Sequence, residues 1–141
     1  MKFMSALIVS IFATLPALAC PTVNGAYFCG NAGNLNISTR ITRTLFFYSI
    51  NGEETPADGV TRESSVGRCD DDSVTITVSN PPDSFTSDEC KSGAVARQTD
   101  FKITDISNSG ANIKFQQINS VLCRDGKVAI LDRHSDGCTR R

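Results

Sequence analysis

The chain holds one histidine, His134, so any imidazole base, nucleophile or proton relay must use it. Ser135 and Asp136 follow it, which supplies the residue types of a hydrolytic triad in a row. Adjacency in sequence is not triad geometry, because such groups are brought together by the fold. With Gly137 next, the stretch reads as a polar turn. Asp70-Asp71-Asp72 offers carboxylate oxygens of the kind Ca²⁺ takes. It lacks the alternate ligand spacing and distal glutamate of a calcium loop, and it leads straight into a strand pattern, so a solvated turn is the expected role. Glu53-Glu54 and Asp88-Glu89 read as loop charges, and no glycine-rich phosphate loop or G-x-S-x-G elbow is present. No constellation supports an enzyme, and neither cofactor nor metal is expected.

The six cysteines, Cys20, Cys29, Cys69, Cys90, Cys123 and Cys138, carry more information. None forms the close C-x-x-C pair of a zinc site, and a single histidine adds little ligand capacity. An even count reads instead as three disulfides, with parity alone leaving the connectivity open. Sequential pairing is expected, Cys20 to Cys29, Cys69 to Cys90 and Cys123 to Cys138, since each bridge would join neighbouring strands or staple one loop.

Disulfides imply an oxidising compartment, and the first residues agree. Lys2, an apolar run from Phe3 to Leu15, the breaker Pro16 and then Ala17-Leu18-Ala19 make the pattern of a secretory signal peptide. The run is shorter than the ~20 residues a membrane span needs. Cys20 would be the lipidated residue of a lipoprotein, but Ala17 and Leu18 stand in the reverse of the favoured order, and lipidation would leave an odd thiol. A signal over residues 1–19 and a single secreted or periplasmic domain over residues 20–141 are therefore expected, with no membrane span after signal removal. Without Lys2 the domain carries 13 basic against 15 acidic residues. Such a balance provides no basic stripe for nucleic acid. Its Val, Ile, Leu and Phe residues number 27, which makes a thin core that disulfides must support.

The elements that would position these groups are strands. Val23 to Cys29 alternates at period two; Leu35, Ile37 and Ile41 do so along a second segment; Leu45 to Ile50 ends at Asn51-Gly52. That dipeptide is a strong hairpin signal, because a type I′ turn needs positive φ at both central residues. Glu53 to Gly59 reads as a loop or edge arm holding Pro56, ahead of Val60 to Val66. Ser73 to Ser79 shows the cleanest alternation, with Val74, Ile76 and Val78 against threonines. After a proline-containing loop from Asn80, Ala94 to Ser107 resumes the pattern with a change of face near Ile106 that predicts a bulge. Ile113 to Ile118, Val121 to Cys123 and Val128 to Arg133 are the remaining segments, followed by a tail from Asp136 tied through Cys138. No amphipathic helix or repeat interrupts them. About eight strands with turn signals roughly every ten residues predict an all-β fold, an antiparallel meander β-barrel, with a β-sandwich as the alternative.

Gly25-x-Tyr27 on the first strand, about eight antiparallel strands, and Arg133 at the end of the last segment together resemble the calycin or lipocalin-like pattern. That resemblance implies that Tyr27 and Arg133 form a structural stacked pair at the barrel base, with Gly25 beside them. It also implies a small apolar ligand in the barrel mouth, which the aromatics Phe46, Tyr48, Phe101 and Phe115, expected to face inward, would line. Two functions from different classes follow. One is a non-enzymatic exported protein binding a small apolar or amphipathic ligand. The other is a protein-interaction module, such as a secreted protease inhibitor, using cystine-braced loops from Asn80 to Gly93 or Glu53 to Gly59, where Pro81-Pro82 would stiffen one of them.

Overall fold

The computed structural model describes residues 20–43, 45–83 and 89–141. The expected signal over residues 1–19 lies outside the described residues, as do residues 84–88 of the loop after Asn80. Nine strands form a single sheet: β1 (Gly25–Cys29), β2 (Gly33–Ile41), β3 (Phe46–Ile50), β4 (Glu53–Pro56), β5 (Ser65–Cys69), β6 (Val74–Asn80), β7 (Ala94–Ser107), β8 (Asn112–Cys123) and β9 (Val128–Arg140). Their lateral order is β4-β3-β2-β1-β9-β8-β7-β6-β5. Read around a circle this is a meander in which the first and last strands pair, so the chain is a nearly closed barrel with its seam between β4 and β5.

All eight ladders are antiparallel. Eight reversals leave β4 and β5 pointing the same way, which is the consequence of an odd strand count. These two neighbours meet without a ladder. They are held instead by Gly59 N–H donating to the Gly67 carbonyl at 2.9 Å and by close backbone approach. A Cβ on Gly67 would collide with the Pro56 carbonyl oxygen, so glycine is required there. Pro56 lacks an N–H, which suits a seam strand that has no ladder to feed on that side.

Local chemistry explains the turns. Asn51 and Gly52 both take positive φ, 52° and 93°, as the hairpin signal predicts. The change of face near Ile106 is a bulge: the register slips between Thr104 and Ser107, and Asp105 has φ 51°. Of the readings of the return arm, the edge arm is the one formed: Glu53 to Pro56 is β4, which the Asn51-Gly52 turn delivers directly against β3. Two expectations need correction. The Ile113 to Ile118 and Val121 to Cys123 segments are one strand, β8, paired along its whole length between β7 and β9. His134 to Asp136 is no turn and the residues beyond are no tail, since β9 runs on to Arg140. The polar and glycine residues of that stretch have weak strand preference of their own, and hydrogen bonding to β8 on one side and, further on, β1 on the other overrides it.

The three disulfides are also not the sequential ones. They join Cys20 to Cys69, Cys29 to Cys138 and Cys90 to Cys123. Cys29 and Cys138 are direct cross-strand partners, their Cα atoms 4.2 Å apart, because closure sets β1 beside β9. Sequence proximity could not reveal this. Among the described residues no helix is long and apolar enough to cross a membrane.

The main core fills the barrel with Val23, Tyr27, Leu35, Ile37, Tyr48, Val74, Ile76, Ile103, Ile113 and Phe115. A second cluster of Cys90, Val121 and Cys123, with Ala94 and Leu131 against it, sits where β7, β8 and β9 extend past the shorter strands.

Candidate functional site

The two ends of the barrel differ. Base and mouth follow from strand direction: the chain enters β1 at the base, next to the turns that precede β3 and β8, while the Asn51-Gly52 turn and the residues before β5 lie at the mouth.

At the base, residues Cys20 to Asn24 run across the opening. Val23 is fully buried, its backbone N–H donates to Thr39 Oγ1 at 2.9 Å, and that hydroxyl donates to the Val23 carbonyl at 2.9 Å. The Thr39 N–H donates to Asn24 Oδ1 at 2.6 Å. Tyr48 points down from β3 and donates its hydroxyl to the Pro21 carbonyl at 2.6 Å, while Tyr27 donates to the Gly110 carbonyl at 2.5 Å. Both rings are wholly buried. Burial raises both phenols above the ordinary tyrosine pKa, and the positive charge of Arg140 offsets part of the rise at Tyr27. The Cys20 to Cys69 bridge fixes the crossing segment to β5.

The mouth holds a cavity of about 650 Å³. Its apolar wall is Leu35, Ile50, Ile76, Val78, Phe101 and Phe115, and the two phenylalanines lie near-parallel with centroids 6.2 Å apart. Around the opening stand Glu53, Thr55, Glu63, Ser64, Ser65 and Gln117. Thr55 borders the cavity and is 6% exposed, and its hydroxyl, which makes no hydrogen bond among the described residues, keeps contact with solvent. Glu54 reaches the same rim, but Arg40 holds its carboxylate at 2.6 and 3.0 Å, which also keeps the carboxyl below its usual pKa. Among the described residues no lysine or arginine lines this cavity.

Phe101 and Phe115 are thus brought together at the open end. Phe46 and Tyr48 face the interior yet do not line the cavity, because β3 carries them into the base half, where they pack in the core. The expected Tyr27 and Arg133 pair is not formed. Arg133 is exposed opposite Ile118, whereas Arg140 lies opposite Tyr27 and lays its stem over Gly25, 2.6 Å from where a Cβ would be. The reason is the length of β9: its final arginine is seven residues further on than the sequence pattern suggested.

Sequence reasoning missed Glu53, Thr55 and Glu63. Continuing the period-two pattern past Asn51-Gly52 would have placed Glu53 and Thr55 on one face of a return strand. No sequence signal marks Glu63.

The groups with chemical potential elsewhere are spent or dispersed. Asp70 accepts from the Ser73 hydroxyl at 2.8 Å and the Asp72 N–H at 3.3 Å, and these bonds, the hydroxyl first, lower its pKa. Asp72 moves the other way, chiefly through its contact with the Asp70 carboxylate. His134 lies on exposed strand opposite Gln117, with Asp132 at 3.6 Å, and shares with Phe115, Gln117 and Asp136 a smaller opening of about 280 Å³. Asp136 is engaged by the Ala32 N–H at 2.9 Å. No group of three or more His, Cys, Asp or Glu among the described residues is arranged to hold a metal ion. Compared with known proteins, the chain matches no family model, no curated protein sequence and no solved structure.

Proposed function

We propose that this chain is an exported, non-enzymatic binding protein that takes one small apolar or amphipathic ligand in the mouth of its barrel. The observation that carries the reading is the asymmetry of the interior. The base is plugged by Val23, Tyr27 and Tyr48, while the mouth keeps a cavity of about 650 Å³ with six apolar side chains on its wall. That volume falls within the range of roughly 300–1,000 Å³ in which small-molecule sites lie. The signal-like residues 1–19 and three disulfides support export, the latter because such bonds persist in oxidising compartments. A lipocalin-like reading draws support from the meander order and from a first-strand glycine and aromatic met by an arginine of the last strand, a part taken by Arg140.

The test is saturable binding of an apolar fluorescent probe, together with native mass spectrometry of the exported protein. Binding with one probe per chain, weakened at least tenfold by Phe101→Ala, is the expected result. A barrel inert to probes and free of captured ligand would overturn the proposal.

One observation favours a second reading, a protein-interaction module: the Cys90 to Cys123 bridge anchors the residues that lead into β7 to the end of β8. Such bracing lowers the ordering cost of a binding loop. Inhibition of a panel of secreted proteases, lost on replacing Pro81 and Pro82, would establish it, and an inactive panel would remove it.

A further inference from the structure

We infer that the ligand is a cation with an apolar body, a hydrophobic amine held by its ammonium group at the rim; this rests on the binding reading above. The cavity separates two chemistries by depth. Ile76, Val78, Phe101 and Phe115 line the apolar part, and the polar groups sit around the opening. Among the rim groups the charges have one sign. Glu53 and Glu63 are carboxylates for which no cationic partner is present among the described residues, whereas the third, Glu54, is neutralised by Arg40 at 2.6 Å.

Among the described residues no basic side chain lines the cavity to hold an anionic head group, so a fatty acid or phosphate ester would meet two like charges there. A cation meets two opposite ones. Thr55 borders the cavity on the same strand face as Glu53, and its hydroxyl, open to solvent there, is an acceptor to which an ammonium can donate.

The experiment compares three probes of equal chain length, dodecylammonium, dodecanol and dodecanoate, by calorimetry below their aggregation limits at low salt. Dodecylammonium is expected to bind at least about tenfold more tightly than dodecanol and dodecanoate more weakly than either, with the spread shrinking as salt screens the rim charges. In the E53Q/E63Q double variant the preference for the ammonium should vanish while dodecanol affinity is unchanged. Equal affinities for the three probes in the native protein, or a preference for the carboxylate, would overturn the cation assignment and leave the binding cavity standing. Binding of none of them would remove both. The native series needs no variant to fold, and a tyrosine near-ultraviolet spectrum confirms that the double variant does.

Discussion

The base and the mouth of this barrel are built from the same alternating strands, and they end in opposite states. At the base a tyrosine from β1 and another from β3 cross the interior, and each hydroxyl reaches a carbonyl on a covering segment, so large aromatic rings are buried with no polar cost. At the mouth the inward positions carry phenylalanine, valine and isoleucine with nothing laid across them among the described residues, and the cavity remains. What separates a plug from a pocket here is less the hydrophobicity of the lining than a strap for its polar tips to hold. Residues 20–24 provide that strap at one end only.

The strongest way to break the comparison is to unfasten the wall that both ends share. Replacing Cys29 and Cys138 together by serine should cost the most, about 4–5 kcal/mol from loop-closure entropy for a bridge spanning so much of the chain. The equivalent change at Cys90 and Cys123, which closes a shorter loop beyond the mouth, should cost about 1 kcal/mol less by the same relation. Urea unfolding of the two double variants measures both, and an equal or reversed order would mean that the wall closure of β1 on β9 is not what stabilises the fold.

Next in size is the pair of aromatic truncations. Tyr48→Ala leaves a cavity and an unpaired Pro21 carbonyl and should lose about 3–5 kcal/mol. Phe101→Ala borders space that is already empty and should lose about 1–2 kcal/mol, toward the low end because the site has little packing to forfeit. Chemical denaturation distinguishes them. Similar losses would show that the mouth is packed as tightly as the base.

The smallest effect concerns pH. The chain has two tyrosines, Tyr27 and Tyr48, and both phenols have raised pKa values in the folded state. Their neutral forms therefore contribute stability that is fully present below the ordinary tyrosine pKa of ~10 and is lost as pH rises through the folded values. A titration followed by phenolate absorbance near 295 nm should show little ionisation at pH 10 and then a rise that coincides with loss of the folded near-ultraviolet signal. Normal ionisation of either phenol with the fold intact would mean that the base admits water.

Much of this architecture is legible along the chain because period-two alternation is a local property. Val74, Ile76 and Val78 declare β6, and Asn51-Gly52 declares its turn, since each depends only on neighbouring residues and on the φ values they tolerate. The reading failed wherever the deciding partner was remote. Gln116 to Asp136 contains few strong strand formers, yet β8 and β9 are continuous because each is paired, β8 on both sides and β9 with β8 throughout. The four aromatics divide between the two ends for the same reason. Inward orientation follows from alternation, but which end of the barrel an inward residue occupies follows from strand direction.

The sequence by itself determined an all-β meander with paired cysteines, because composition, turn residues and alternation act over a few residues at a time. Only the tertiary structure decided the rest. It decided that β1 closes on β9, that Cys29 meets Cys138, that Arg140 rather than Arg133 covers Gly25, and that Glu53, Thr55 and Glu63 gather around one opening. Each of these depends on closing the sheet into a barrel, which sets residues far apart in the chain side by side in a register that local preference does not encode.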